Sequence, residues 1–316
     1  MFSSTYRQMQ SVNFHITRAC NYGCLHCHHT FKLPNQVLPL DRQKQLLKMF
    51  KEAGMMKANF AGGEPTLVDK GHYVGELIRY CKEDLQLEST SIITNGSKIT
   101  EDWMAKYCPH LDIFGISLDS FDEKTNQAIG RFSKERGQVH MRNLSNIREW
   151  CTQYDSMFKV NTVVCAQNWE EDMNDHIAAL DPIRWKIFQC QLLEGENTGK
   201  GALRDGKNSL VTDSQFTSFI QKHEDKHGEI MKPEDNETML NSYIMIDEQG
   251  YFLDCEGGKK ERSKHSVFDV GVDEAFKGVC FMPAMFDKRD GKFAWNKEQL
   301  LQEKQKKETE NENHHQ

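Results

Sequence analysis

The sequence predicts an α/β fold: a partial, TIM-like (β/α)6 barrel followed by a C-terminal α+β extension that caps the barrel mouth. Three observations lead there. Short apolar, strand-like runs alternate with helical patterns through the first two-thirds of the chain, as βαβ units of a parallel sheet do. Six such units are too few for a closed eightfold barrel, which leaves an open or partial one. After about residue 205 the alternation stops.

Residues 1–10 form a polar N-terminal segment. The barrel is drawn over 11–205, with strands Val12 to Thr17, Lys57 to Ala61, Ser91 to Thr94, Ile113 to Leu118, Phe158 to Val164 and Trp185 to Gln189. Between the first two lies "LDRQKQLLKMFKEAG", where Leu40, Leu46, Leu47 and Phe50 recur at helical spacing, with Asp41 in the first turn and Gly54 past the end. The extension, 206–295, carries an amphipathic helix around "DSQFTSFIQKH" and then "YIMIDEQGYFLDC", which reads as a hairpin turning at Gln249 and Gly250. The last stretch, 296–316, is charged and almost free of apolar residues after Leu301, and is expected to be a frayed or disordered tail.

With 316 residues and 38% hydrophobic content the chain can bury a large core. The formal net charge of −7 argues against a nucleic-acid surface, so an anionic partner must be met by local positive charge. No run approaches the roughly 18 apolar residues of a membrane span, and Met1 to Gln10 is too polar for a secretory segment; a cytoplasmic protein without membrane contact is expected. Ten cysteines then read as free thiols or metal ligands rather than a disulfide framework. Seven of them, Cys81, Cys108, Cys151, Cys165, Cys190, Cys255 and Cys280, show no ligand spacing and read as small core residues.

The other three stand together in "ITRACNYGCLHC", where Cys20, Cys24 and Cys27 follow the first strand. A zinc site would close its tetrahedron with His28 or His29. Three core cysteines would rarely share one turn with Asn21, Gly23 and two histidines. An iron–sulfur cluster on three thiolates leaves one iron open to another ligand. The end of the next strand carries "AGGEP": Gly62 and Gly63 let backbone polar groups approach a ligand, and Glu64 can accept from a charged amine. Together these stretches resemble the radical S-adenosylmethionine superfamily. The resemblance implies a [4Fe–4S] cluster on Cys20, Cys24 and Cys27, whose open iron chelates the amino and carboxylate groups of S-adenosylmethionine. It implies that the loop of Gly62, Gly63 and Glu64 binds the amino group, and that Tyr22, His26, Asn95, Ser117 and Arg131 complete the cofactor site. His26 stands where the superfamily usually has another aromatic residue beside the adenine. Asn95, in "TNGS", reads equally well as a turn residue.

A closer resemblance covers about Ser11 to Trp295. "TRACNYGCLHCHHT", "FAGGEPTL", "ITNGS", "SLDSFDE", "IGR", "ALDPIRWKIFQCQLLEGEN" and "SYIMIDEQGYFLDC" occur in an order that resembles the viperin family. That resemblance implies an antiviral lyase that converts a pyrimidine ribonucleoside triphosphate, CTP or UTP, into its 3′-deoxy-3′,4′-didehydro analogue. A 5′-deoxyadenosyl radical takes the C4′ hydrogen; loss of the 3′-hydroxyl and delivery of an electron and a proton follow. Tyr243 would face the nucleotide as a hydrogen or proton donor, although its isoleucine neighbours also suit simple packing. Lys260, in "GGKKERSK", matches a phosphate-side cation or belongs to a solvated charge run. An electron donor of the reductase, ferredoxin or flavodoxin type and the iron–sulfur assembly machinery are the implied partners. No amphipathic anchor precedes the barrel, so membrane attachment is not expected.

Strand alternation supplies independent support. In "SVNFHIT" the apolar set Val12, Phe14 and Ile16 suits the helix side, leaving Asn13 and His15 inward. The same rule puts Lys57 with Asn59, Lys159 with Asn161, and Arg184 with Lys186 on the lumen. Buried cations ask for an anion, and a triphosphate with about four negative charges answers them. Lys57 and Arg184 sit at strand starts, where long side chains can instead reach water. A different radical enzyme acting on a peptide or cofactor precursor, and a zinc-stabilised binding module, are the alternatives.

Overall fold

The computed structural model describes residues 9–29, 36–132 and 139–291, with residues 139–142 as backbone only. The expected N-terminal segment lies mostly, and the expected tail wholly, outside the described residues.

The chain runs β1 (Ser11–His15), α1 (Leu40–Glu52), β2 (Lys57–Ala61), a 3-10 segment (Pro65–Gly71), α2 (His72–Glu83), β3 (Ser89–Thr94), α3 (Glu101–Tyr107) and β4 (Ile113–Ser117). It continues through α4 (Glu123–Ile129), α5 (Val139–Gln153), β5 (Met157–Val164), α6 (Asn174–Leu180), β6 (Arg184–Gln189) and α7 (Asp213–His227) to β7 (Met231–Glu234), α8 (Asn236–Met239) and β8 (Ile244–Ile246). These strands form one parallel sheet in the order β7-β6-β5-β4-β3-β2-β1-β8, an open half-barrel.

The six inner strands lie where period-two alternation puts them, and the extension adds a strand at each edge of the sheet. Neither edge strand follows a clear alternation. β7 is the four-residue run MKPE, and its Pro233 is tolerated because it has a sheet neighbour on one side only. β8 was expected as one arm of a hairpin. The chain does turn there, with the Asp247 amide on the Tyr251 carbonyl at 2.9 Å and a single antiparallel bridge between Ile246 and Phe252. The strand's ladder, however, runs parallel to β1, Val12 opposite Ile244 and Phe14 opposite Ile246.

Local chemistry sets the helices. Thr100, Asp122 and Thr212 accept from backbone amides at the starts of α3, α4 and α7, and Thr212 with Gln215 forms a complete capping box. Leu46, Leu47 and Phe50 of α1 are fully buried, and Phe50 meets Phe14 of β1 edge-to-face at 5.3 Å. Burying each such side chain contributes about 2 kcal/mol. This outer layer takes up most of the strands' apolar residues, so polar side chains such as Asn13, Asn59 and Asn161, with a few apolar ones such as Ile93 and Phe188, face the open side of the sheet.

Candidate active site

The loop from Thr17 to His29 leaves the top of β1 and is gripped from two sides. On one side Gly63 donates to the Thr17 carbonyl and Glu64 to the Ala19 carbonyl, each at 2.7 Å. A Cβ on Gly63 would lie 2.1 Å from the Ala19 oxygen, and one on Gly62 2.5 Å from that of Thr17. On the other side Gly23 donates to Gly130 at 3.0 Å and Leu25 to Ile129 at 2.9 Å, and a Cβ on Gly130 would lie 2.6 Å from the Gly23 oxygen. The glycines of "AGGEP" therefore admit another backbone, which is a different service from the opening for a ligand that the sequence suggested.

Cys20, Cys24 and Cys27 line one cavity of about 450 Å³, and none is in a disulfide. Burial pushes the Cys20 and Cys24 thiols up to about 12, so their thiolates require a positive partner. Among the described residues no three His, Cys, Asp or Glu side chains close round a single ion. The free thiols arrayed on one wall fit a larger, multi-iron group.

Arg131 stands beside this wall. Its guanidinium is 2.9 Å from Asp119 and 4.0 Å from the Cys24 sulfur, donates to the Ser117 carbonyl at 2.5 Å, and lies 5.9 Å from the Tyr22 ring centre. His26 Nε2 reaches the same Asp119 oxygen at 3.1 Å. Burial alone would raise the Asp119 carboxyl, but Arg131 and His26 hold it well below the usual range. Asn95 donates to the Asn21 side chain and accepts from the Ser97 amide, both at 2.9 Å, so it is a turn residue and also a tie to the cysteine loop.

Glu64 differs from expectation. It is fully buried behind the cavity wall, where Oε1 accepts from the Thr66 amide, the Thr66 hydroxyl and the Thr94 hydroxyl, and Oε2 accepts from the Asn95 amide at 2.6 Å. Four donors fill most of a carboxylate's capacity and leave it capping the 3-10 segment rather than facing an amine.

At the far end of the same cavity lie Lys57, Lys159, Arg184 and Lys186, joined by Arg289. Arg184 is buried and 3.0 Å from Asp290, so it does not run out to water. Lys186 pairs with Glu234 and donates to the Tyr243 hydroxyl at 2.7 Å; Tyr243 donates in turn to Glu234 and carries the Arg289 guanidinium 3.7 Å above its ring. Burial, then Arg184 and Lys186, lowers Lys57 to about 7. Burial lowers Lys186 to about 8 against the pull of Glu234, and it lowers Lys159 strongly. Among the described residues no carboxylate stands within ion-pair distance of Lys159.

Asn13 and His15 face the cavity from β1, with Asn13 donating to the Ile244 carbonyl at 3.1 Å. Lys260 is not at the cationic end. Its ammonium donates to the His28 carbonyl at 2.9 Å and meets His29 Nδ1 at 2.8 Å, because the strand pair β9 (Leu253–Asp254) and β10 (Glu261–Arg262) brings it down beside the cysteine loop. Asp119, Glu234 and Arg289 were missed by sequence reasoning, and His29 was weighed only as a zinc ligand. Asp119 alone left a signal, an acid just past the C-terminal end of a barrel strand.

The family model for the radical SAM superfamily matches residues 14–172. The chain is 48% identical over 287 residues to the S-adenosylmethionine-dependent nucleotide dehydratase RSAD2 of Danio rerio, covering 91% of this chain and 78% of that protein. It is 50% identical over 289 residues to the protein of that name from Siniperca chuatsi, covering 91% and 79%. A S-adenosylmethionine-dependent nucleotide dehydratase of Flammeovirga pacifica is 30% identical over 293 residues, covering 90% and 96%. Among solved structures, anSMEcpe with bound AdoMet superposes with a TM-score of 0.67 at 16% identity, covering 88% of this chain and 80% of that one, a likeness of fold alone. The order of motifs, the half-barrel and these relatives agree: the chain belongs to the viperins, the S-adenosylmethionine-dependent nucleotide dehydratases of the radical SAM superfamily.

Proposed function

We propose that the chain is a radical S-adenosylmethionine nucleotide dehydratase that converts CTP or UTP to the 3′-deoxy-3′,4′-didehydro triphosphate, in antiviral defence. The observation that carries this reading is the placement of an anion site opposite the cysteine loop in one cavity. Five cations, Lys57, Lys159, Arg184, Lys186 and Arg289, face two carboxylates, Glu234 and Asp290, and Asp290 is shared with Lys232 at 3.6 Å. Such an excess asks for a polyanion, and a triphosphate meets it.

Cys20, Cys24 and Cys27 would hold the [4Fe–4S] cluster, with S-adenosylmethionine contacted by Tyr22, His26, Asn95, Ser117 and Arg131 and seated beside Gly62 and Gly63; Glu64 would act through Thr94 and Asn95. When bound, the cluster and S-adenosylmethionine supply one-electron chemistry that removes a hydrogen atom from the sugar. The chain's own residues orient the substrate. Lys57, Lys159, Arg184 and Lys186 hold the phosphates, so the ribose is the part presented towards the cysteine loop, with Asn13 and His15 alongside it. Tyr243, whose hydroxyl lies between Lys186 and Glu234, would serve as the proton donor. In this reading 11–205 is the catalytic barrel and 206–295 completes the substrate side. A low-potential reductase or flavodoxin-type protein is the proposed electron source, and the assembly machinery loads the cluster. Among the described residues no helix is long and apolar enough to cross a membrane. A cytoplasmic site of action belongs to the proposal.

Anaerobic incubation with S-adenosylmethionine, a reductant and each ribonucleoside triphosphate, read by mass spectrometry, tests the reading. A product lighter than CTP or UTP by one water, the sum of the C4′ hydrogen and the 3′-hydroxyl, supports it. Methionine formation with every triphosphate unchanged would refute it.

A further inference from the structure

We infer that His29 is a further substrate-contacting residue, donating from Nε2 to an oxygen of the nucleoside half, and that Lys260 is the positioning residue that fixes His29 in the donating tautomer. This rests on the nucleotide reading above and departs from a phosphate role for Lys260.

His29 is 5% exposed, lines the cavity, and its Nε2 has no partner among the described residues. Its other nitrogen, Nδ1, is 2.8 Å from the Lys260 ammonium, which has donors only. Lys260 spends a second donor on the His28 carbonyl at 2.9 Å, which pins the ammonium in place. Nδ1 must then be the acceptor, and the proton of the neutral ring sits on Nε2. His15 packs edge-to-face against this ring, the ring centres 4.4 Å and the two Nδ1 atoms 3.2 Å apart, but the single lone pair on His29 Nδ1 is already taken by Lys260. His29 thus offers the cavity one buried N–H at the cysteine end.

A buried N–H without a partner is costly, and an oxygen acceptor relieves that cost. The phosphates are claimed by the opposite end of the cavity. The matching groups of a pyrimidine nucleoside are a ribose hydroxyl and the base carbonyl O2, which share acceptor chemistry.

The test is calorimetry on the anaerobically loaded holoenzyme with three probes: CTP or UTP, inorganic tripolyphosphate, and S-adenosylmethionine. His29→Phe should weaken the nucleotide about tenfold, the loss of one hydrogen bond of about 1.4 kcal/mol. Tripolyphosphate and S-adenosylmethionine should bind as before. His29→Gln, which keeps an N–H, should recover most of the loss. Lys260→Met should weaken the nucleotide severalfold without touching tripolyphosphate, and the double variant should be no worse than His29→Phe, because both changes remove one contact. The 2′-deoxynucleotide and an analogue lacking O2 identify the acceptor: the one that binds wild type and His29→Phe equally marks the group contacted. Loss of tripolyphosphate affinity in Lys260→Met would make Lys260 a phosphate ligand and overturn the inference, as would a fall in S-adenosylmethionine affinity in His29→Phe. Wild-type protein that binds no nucleotide would instead overturn the functional reading itself.

Discussion

Lys159 shows at the scale of one residue what the cavity is built for. Its ammonium is buried among Lys57, Arg184 and Lys186, and its pKa is driven down by burial first and by those neighbours next. On the proposed function, ligand-free protein bears that cost so that a triphosphate can be bound. Lys159→Met should therefore lower triphosphate affinity by at least tenfold while raising the melting temperature of the ligand-free protein, measured by calorimetry and differential scanning. Lys57 adds a pH signature. Its pKa is about 7 in the folded protein against 10.5 in the unfolded chain, so between those values the unfolded chain binds more protons. The destabilisation is fully present below pH 7 and is relieved as pH rises towards 10.5. Ligand-free protein should gain stability across that window, Lys57→Met should lose that part of the slope, and triphosphate binding near pH 7 to 8 should take up protons in buffers of different ionisation enthalpy. At the cysteine wall, Cys24→Ala should abolish S-adenosylmethionine cleavage and most visible absorbance while far-ultraviolet circular dichroism is unchanged. A colourless but active variant would contradict the assigned thiolate role. The lumenal lysines were legible because alternation is a local rule; Arg289 and Glu234 were not, because their inward aim depends on how the extension docks.

At the scale of elements, the sequence located all six inner strands to within two or three residues, since each pairs an apolar face against helices with a polar face inward. It missed β7 and gave β8 a hairpin partner in place of β1, because both strands are short, sit at edges and take their pairing from neighbours in space. The cysteine loop is likewise a product of two approaches that only glycine permits. Gly63→Ala should cost about 2–3 kcal/mol, because its new methyl meets backbone that cannot swing aside. Cluster loading should fall with it, read as iron per chain beside the denaturation midpoint. Full iron content at wild-type stability would show that the two loops do not need this contact.

At the scale of the molecule, an acidic chain of net charge −7 turns its cations inward and keeps the two ends of one cavity chemically distinct. A buried network ties the extension to the cysteine end. Arg18, at the foot of the cysteine loop, is 2.6 Å from Glu248 just past β8 and 3.8 Å from Glu196 after β6, while Arg262 of β10 reaches both Asp247 and Glu248. The extension is thereby locked to the loop that carries the thiols. Glu248→Ala should cost about 3–5 kcal/mol by stripping a buried guanidinium of its nearest counter-charge. Sequence periodicity had no means of pairing residues 230 positions apart, although each alone is an unremarkable polar side chain in a loop.

On the proposed function, phosphates held by Lys159, Arg184 and Lys186 leave the ribose facing the cysteine end. The atom attacked tests this most directly. CTP or UTP deuterated only at C4′, turned over anaerobically by the loaded enzyme, should yield 5′-deoxyadenosine carrying one deuterium, with none left in the nucleotide product. Unlabelled 5′-deoxyadenosine alongside normal turnover, with the label kept at C4′, would contradict the proposed orientation of the sugar.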